Sequence, residues 1–229
     1  MRKIIYILVV AFMTIFLVSG CSKATVTKEL KLDSSSNPEK KPVTVTVTYP
    51  KDGFDSLYLP DLMDSKEAAD KAKLEKYNPI VGRARTFTSV VYGPKYVISI
   101  TNVHSYFDKG DTAGTLKGEK GTLLKDVSYG GTKGFLYTCS DIKYPYLNYR
   151  YINILLPYAE AGKNYYGSAL EIRVCTNEQL ALAAKVYNKE IKESDPAWTK
   201  ANQDLVALID NKELEEILKS IKINIPEKK

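Results

Sequence analysis

"VTVTVTY", Val43 to Tyr49, alternates without a break between valine and threonine before it reaches tyrosine. Successive residues of a strand point to opposite faces, so the run sets valines on one side and threonines on the other. A helix would scatter the same valines around its circumference. Pro50 and the turn residues Lys51, Asp52 and Gly53 end the run. A half-buried strand needs a sheet to lie in, and the chain beyond it supplies one. Strand patterns recur at Arg85 to Tyr92, Tyr96 to Thr101, Ala113 to Lys117, Leu123 to Tyr129, Gly134 to Cys139, Arg150 to Leu156 and Tyr166 to Cys175. "YGPK", "KGEKG", "YGGTKG" and "AEAGKN" separate them as turns. Parallel neighbours need a crossover of a dozen or more residues, so these short separations predict an antiparallel sheet. "GTLKG" at Gly114 and "GTLLK" at Gly121 read as two arms of one hairpin rather than as a repeat architecture.

After Cys175 the apolar period changes from strand to helix. Thr176 and Gln179 stand at capping-box spacing, and Leu180, Ala183, Ala184, Tyr187 and Ile191 then fall on one helical face. Asp195 before Pro196 opens a second helix, with Leu205, Leu208 and Ile209 as its buried side. Asn211 to Ser220 forms a third, with Leu214, Ile217 and Leu218. An earlier helix, Ser65 to Tyr77, is capped by Ser65; its stripe is mostly alanine, which predicts a surface position. The expected fold class is α+β, an antiparallel β-sheet covered by C-terminal helices.

This layout resembles the PsbP/Mog1-like group. There an early strand ends in Tyr-Pro, as "TVTYP" does here, an antiparallel sheet follows, and a late helix runs into a final strand, as in "LEEILKSIKINI", Leu214 to Ile225. The group shares no catalytic motif, so the resemblance implies a fold and a noncatalytic role rather than a reaction.

The first residues set the address. Arg2 and Lys3 form a positive head, Ile4 to Val18 is apolar apart from Thr14, and Ser19 and Gly20 are small, the order of an export signal. The run is shorter than the roughly 20 apolar residues that span a bilayer in a helix. "VSGC", Val18 to Cys21, resembles the lipobox of bacterial lipoproteins. That resemblance implies cleavage after Gly20, a lipidated Cys21 as mature N-terminus, and an extracytoplasmic domain anchored to a bacterial membrane. Two acyl chains give stable anchoring where one does not. Ser22 to Pro42 is polar and serine-rich, and on composition it reads as a flexible tether holding the domain about 25 Å from the membrane. The expected organisation is a signal over 1–20, a lipidated tether over 21–42 and one globular domain over 43–229.

Charge bounds the partners. There are 33 basic residues against 27 acidic ones, and removing Arg2 and Lys3 with the signal leaves 31 against 27, an excess of +4. That mild, mixed balance suits a solvated surface and argues against a nucleic-acid partner. A monomer touching the membrane through Cys21, with an envelope protein, peptide or glycan as partner, is the expectation.

With Cys21 assigned to lipid, Cys139 and Cys175 remain, an even number in a chain sent to an oxidising compartment. They are open to three readings: one disulfide, two free buried thiols, or half of a metal site. With one histidine and no close cysteine pair, metal is the weakest, and the disulfide is the expectation. It carries a topological demand. A simple meander would put the two cysteines on strands two apart, about 10 Å from each other, whereas a disulfide needs Cα atoms within roughly 7 Å.

Chemistry-bearing motifs are few. His104 is the only histidine, with Ser105, Asp108 and Asp111 near it in "NVHSYFDKGD". A hydrolytic site around His104 and Asp108 is the alternative reading, although no Gly-x-Ser-x-Gly elbow accompanies it. Asp52, Asp55, Asp61 and Asp64 match no calcium-loop spacing and read as turn and cap residues. No segment has phosphate-loop spacing, and nothing implies a cofactor. Tyrosine stands out, 17 against 6 phenylalanines and 1 tryptophan, a skew toward aromatic side chains with one wet end. Tyr144, Tyr146, Tyr149 and Tyr151 gather around Arg150 in "YPYLNYRY" and form the candidate ligand-binding cluster. The leading reading is a lipid-anchored, noncatalytic binding or assembly module.

Overall fold

The computed structural model describes residues 24–32, 43–81, 88–106, 122–140, 150–161 and 166–224. Among them the chain order is β1 (Thr25–Leu32), β2 (Val43–Pro50), β3 (Asp55–Tyr58), a single-turn α1 (Pro60–Met63), α2 (Ala68–Val81), β4 (Thr88–Tyr92), β5 (Tyr96–Tyr106), β6 (Thr122–Tyr129), β7 (Thr132–Ser140), β8 (Arg150–Ala161), β9 (Tyr166–Thr176), α3 (Asn177–Tyr187), α4 (Pro196–Ala207), α5 (Lys212–Ser220) and β10 (Lys222–Asn224). The fold is α+β, and every strand pairing among the described residues is antiparallel. The strand from Val43 to Tyr49 is present as read, and so are the helices capped by Asp195 and Asn211 and the final strand after α5. The helix that opens at the Thr176–Gln179 box is present too, but it ends at Tyr187, short of Ile191.

Two sheets form rather than one. A small sheet has the order β1-β2-β10, and a seven-stranded sheet the order β3-β4-β5-β9-β8-β7-β6. The valines of β2 do what their alternation predicts. Val43, Val45 and Val47 are buried, while Thr44, Thr46 and Thr48 are half-buried on the other face. Those valines meet Ile98 and Ile100 of β5 and Leu170, Ile172 and Val174 of β9 in the main core, together with Leu214, Ile217 and Leu218 from α5. Burying each such side chain is worth about 1.5–3 kcal/mol, so the face-to-face sheets and α5 supply the main stabilising layer. The opposite face of the large sheet carries a second core. There Val90, Val97 and Cys175 pack with Tyr77 and Ile80 of α2, Leu180 and Ala183 of α3, and Trp198 of α4.

Helix ends use the capping groups that the sequence announced. Thr176 Oγ1 accepts from Gln179 N at 3.0 Å, and Gln179 Oε1 accepts from Thr176 N at 3.0 Å, a reciprocal capping box. Gln179 Nε2 also donates to Asn202 Oδ1 at 2.9 Å, tying α3 to α4. Asp195 caps α4 through Ala197 N at 2.8 Å, and Asn211 caps α5 through Leu214 N at 2.9 Å.

Three expectations are corrected. The flexible tether is structured over Thr25–Leu32, which pairs with β2 along its whole length from Thr25↔Pro50 to Leu32↔Val43. Averaging composition over 21 residues hid two leucines at strand spacing, and Leu30 and Leu32 are 6% and 0% exposed in the main core. The folded unit therefore includes β1 and does not begin at Val43. The helix read over Ser65 to Tyr77 runs instead from Ala68 to Val81, and it is not confined to the surface. Its Tyr77 and Ile80 anchor it in the second core, beyond the alanine stripe. Ser65 lies before the helix and accepts from Glu67 N at 3.2 Å.

The third correction concerns the disulfide. Cys175 is a free thiol, fully buried. β7, β8 and β9 form the meander that the bond would have forbidden: Cys139 pairs with Tyr151 on β8, and Cys175 pairs with Val97 on β5, one strand further across the sheet. Parity and compartment gave the wrong answer because Cys175 serves as a small apolar core residue beside Val97. Burial pushes its thiol well up, which suppresses the reactive thiolate.

Candidate functional site

Cys21 lies outside the described residues, as do Tyr144, Tyr146, Tyr149 and Asp108. Of the tyrosine cluster, Arg150 and Tyr151 begin β8, paired with Ser140 and Cys139. His104 is on β5 in register with Ser168 of β9. The structure brings other polar residues together.

One group gathers where the small sheet meets β3, the first strand of the large sheet. Lys28 Nζ reaches from β1 to Asp55 Oδ1 at 2.8 Å. Asp55 Oδ1 also accepts from Ser56 N at 2.7 Å, and Tyr92 OH donates to Asp55 Oδ2 at 3.4 Å. Tyr49 OH donates to Ser56 Oγ at 3.0 Å, and the Tyr92 ring lies 5.9 Å from that of Tyr77. The Lys28 hydrogen bond, helped by the Ser56 N–H, holds the Asp55 carboxyl below the usual carboxylate range. The pair is about half exposed, 41% for Lys28 and 56% for Asp55, so it contributes little to stability. Its chemical capability is recognition: a fixed carboxylate, an ammonium and a half-exposed phenol on one surface can receive a peptide or a sugar. Asp55 was legible only as a turn aspartate, because its partners come from β1 and β4.

A second polar group lies under the helices. On the helix-covered face of the large sheet, antiparallel register aligns Val90, Ser99 and Arg173 in one row and Thr88, Thr101 and Glu171 in the next. Arg173 Nη2 donates to Glu171 Oε1 at 3.1 Å, and Nη1 donates to the Ile80 carbonyl at 3.4 Å, near the C-terminus of α2. Their side chains are 16% and 9% exposed. Thr88 and Thr101 share a hydroxyl hydrogen bond of 2.8 Å. A cation at a helix C-terminus meets the negative end of the dipole, so Arg173 clamps α2 to the sheet. This is a structural device. The sequence concealed it, because "LEIRVC" alternates as a solvent-facing strand would.

Buried phenols make the fold sensitive to alkali. Burial, with smaller contributions from Tyr92 and Cys175, pushes Tyr77 up to about 12. Burial, reinforced by Glu213 at 3.3 Å, raises Tyr96 further, and burial raises Tyr129 and Tyr92. An unfolded phenol ionises near 10. With the folded value above the unfolded one, the fold binds more protons in that window, so stability is intact below about pH 10 and falls as pH rises through 10 to 12. In an alkaline titration followed by tyrosinate absorbance and circular dichroism together, the last part of the absorbance rise, from the buried phenols, is expected to coincide with loss of the dichroism. Full tyrosinate formation near pH 10 with the fold retained would contradict this.

No protein-family model matches the sequence, and no curated protein matches it. Among solved structures, the chain is similar to the Saccharomyces cerevisiae Ran-binding protein Mog1p, at 14% identity over 86% of this chain and 95% of that one, with a TM-score of 0.33. The architecture given above rests on this chain's own pairing and register.

Proposed function

We propose that this protein is a membrane-anchored, extracytoplasmic lipoprotein whose folded domain acts as a noncatalytic binding or assembly module. The observation that carries the anchoring is "VSGC" at 18–21, behind a basic head and a short apolar run, with the first strand opening at Thr25. A signal of that form is removed at its cysteine, and β1 opens within a few residues of Cys21. The binding role is supported by the Lys28–Asp55–Tyr92 surface, which joins both sheets with groups that hydrogen-bond and stack. An envelope protein, a peptide or a glycan is the partner class that such groups recognise.

Cys21→Ala tests the anchor. Wild-type protein is expected to incorporate a fatty-acid probe and to sediment with membranes, and the variant is expected to do neither, because the acyl chains supply the membrane affinity. Equal labelling of both would overturn the lipoprotein reading. For the binding role, wild type and Asp55→Ala are compared in recovery of envelope components from membranes. Identical recovery would remove the Asp55 surface from the proposal.

A further inference from the structure

The connection between lipid and fold is short, and its attachment point is fixed. Only Ser22, Lys23 and Ala24 separate Cys21 from β1. Three residue steps from Cys21 to Ala24 span at most about 11 Å even when fully extended. Ala24 is itself pinned, since Lys51 N donates to its carbonyl at 2.7 Å. Lys51 opens the turn after β2, and that turn abuts the β4–β5 turn: a Cβ on Gly53 would lie 3.6 Å from Pro94 Cδ. The β4–β5 turn is in turn bound to the start of α3, through Asn177 Nδ2 to the Gly93 carbonyl at 2.8 Å and Asn177 N to the Lys95 carbonyl at 3.0 Å. Phe54 sits between Tyr49 and Tyr96 beneath this surface, with ring centroids 6.4 and 5.8 Å away. The attachment point thus belongs to a braced end of the domain, made of Ala24, the turn 51–53, the turn 93–95 and the first residue of α3. Ser140 at the end of β7 and Arg150 at the start of β8 lie at this same end of the large sheet.

We propose that the domain rests with this end against the lipid bilayer surface, oriented by the short connection from Cys21 instead of floating on a long tether. The proposal rests on the lipoprotein reading above and adds the face that meets the membrane. Lys51 and Lys95 are exposed there, but so are Asp52 and Glu178, so the charge of this end is mixed. The length of the connection therefore sets the orientation, and the arrangement holds on zwitterionic as well as anionic bilayers. The β6–β7 hairpin lies at the opposite end of β7 from Ser140, a nine-residue strand or about 30 Å away along the large sheet.

Full-length lipidated protein is reconstituted in phosphatidylcholine vesicles, with and without phosphatidylglycerol, that carry a headgroup quencher. A fluorophore is placed at Lys95→Cys or at Ser128→Cys, both in a Cys139→Ser background; buried Cys175 stays unlabelled in the folded protein. Both label positions are exposed. The Lys95 label is expected to lose its emission to the quencher in both vesicle types while the Ser128 label keeps its emission. Inserting 20 Gly-Ser residues between Lys23 and Ala24, a coil of about 25 Å, is expected to relieve the quenching. Intact mass separates the two levels of the reading. An unlipidated Cys21 overturns the anchor itself. A lipidated protein with both labels quenched alike, with no quenching at Lys95, with quenching only on anionic vesicles, or with no response to the insertion overturns the orientation.

Discussion

Replacing Arg173 by methionine is expected to destabilise the domain by about 3–5 kcal/mol, the range for removing one partner of a buried ion pair. Methionine fills much of the space but leaves the Glu171 carboxylate, 9% exposed, without its guanidinium, and it takes the donor from the Ile80 carbonyl. The double variant Arg173→Met, Glu171→Leu removes both charges and is expected to lose markedly less, because replacing a whole buried pair by apolar groups is often near neutral. Urea unfolding of wild type, single and double variants measures this directly. A single variant within about 1 kcal/mol of wild type would mean that the pair is as weak as a surface bridge. The Ile80 contact adds a local signature. Amide exchange in the last turn of α2 is expected to rise in both variants, since both lose the guanidinium that holds it.

Gly130→Ala is expected to cost a similar amount by a different route. Tyr129 and Thr132 pair across a two-residue hairpin turn whose Gly130 and Gly131 have φ of +55° and +80°. An L-residue in the left-handed region costs about 1–2 kcal/mol. At Gly130 a Cβ would also come within 2.2 Å of the Ile221 carbonyl oxygen, a backbone atom at the entry to β10, and such overpacking adds about 1–3 kcal/mol. Gly131→Ala is the internal control, because nothing lies within 4 Å of its Cβ position and only the conformational cost applies. The two variants are expected to differ in thermal midpoint, with Gly130→Ala much the lower. Equal midpoints would show that β10 moves aside without cost.

The contrast between those two glycines illustrates what a sequence can carry. "YGGTKG" announces a tight turn, and the turn is there; that one glycine lies against the backbone of Ile221, 91 residues later, is a tertiary fact with no local trace. The same boundary runs through the rest of the fold. Alternation in β2, the Thr176–Gln179 box and the Asp195 and Asn211 caps are local chemistry, and they were legible. β1 was not, because its ladder and its burial both come from β2 and the main core. The candidate surface shows the division within single residues: Asp55 reads as a turn former, and its ion pair with Lys28 of β1 and its hydrogen bond from Tyr92 of β4 have no local trace. Glu171 and Arg173 alternate with Leu170, Ile172 and Val174 as if facing water, and the helices that cover them come from elsewhere in the chain. Cys175 failed for a related reason, since counting cysteines ignores which strand lies next to which.

Among the described residues, β10 has three residues and covers Thr44 to Thr46 of β2. Where β10 stops, Ser220 continues its work: its hydroxyl accepts from Thr48 N at 2.8 Å and donates toward the Thr48 carbonyl at 3.1 Å, while also reaching the Ile217 carbonyl at 2.6 Å. One side chain at the end of a helix thus occupies both backbone groups that another strand would use. An uncovered valine-rich strand is a template for edge-to-edge association. By ending α5 on a serine at this point, the protein closes that template to a second copy of itself, so that a rise in its own concentration does not offer Thr48 of the β2 edge as a seed for fibre growth.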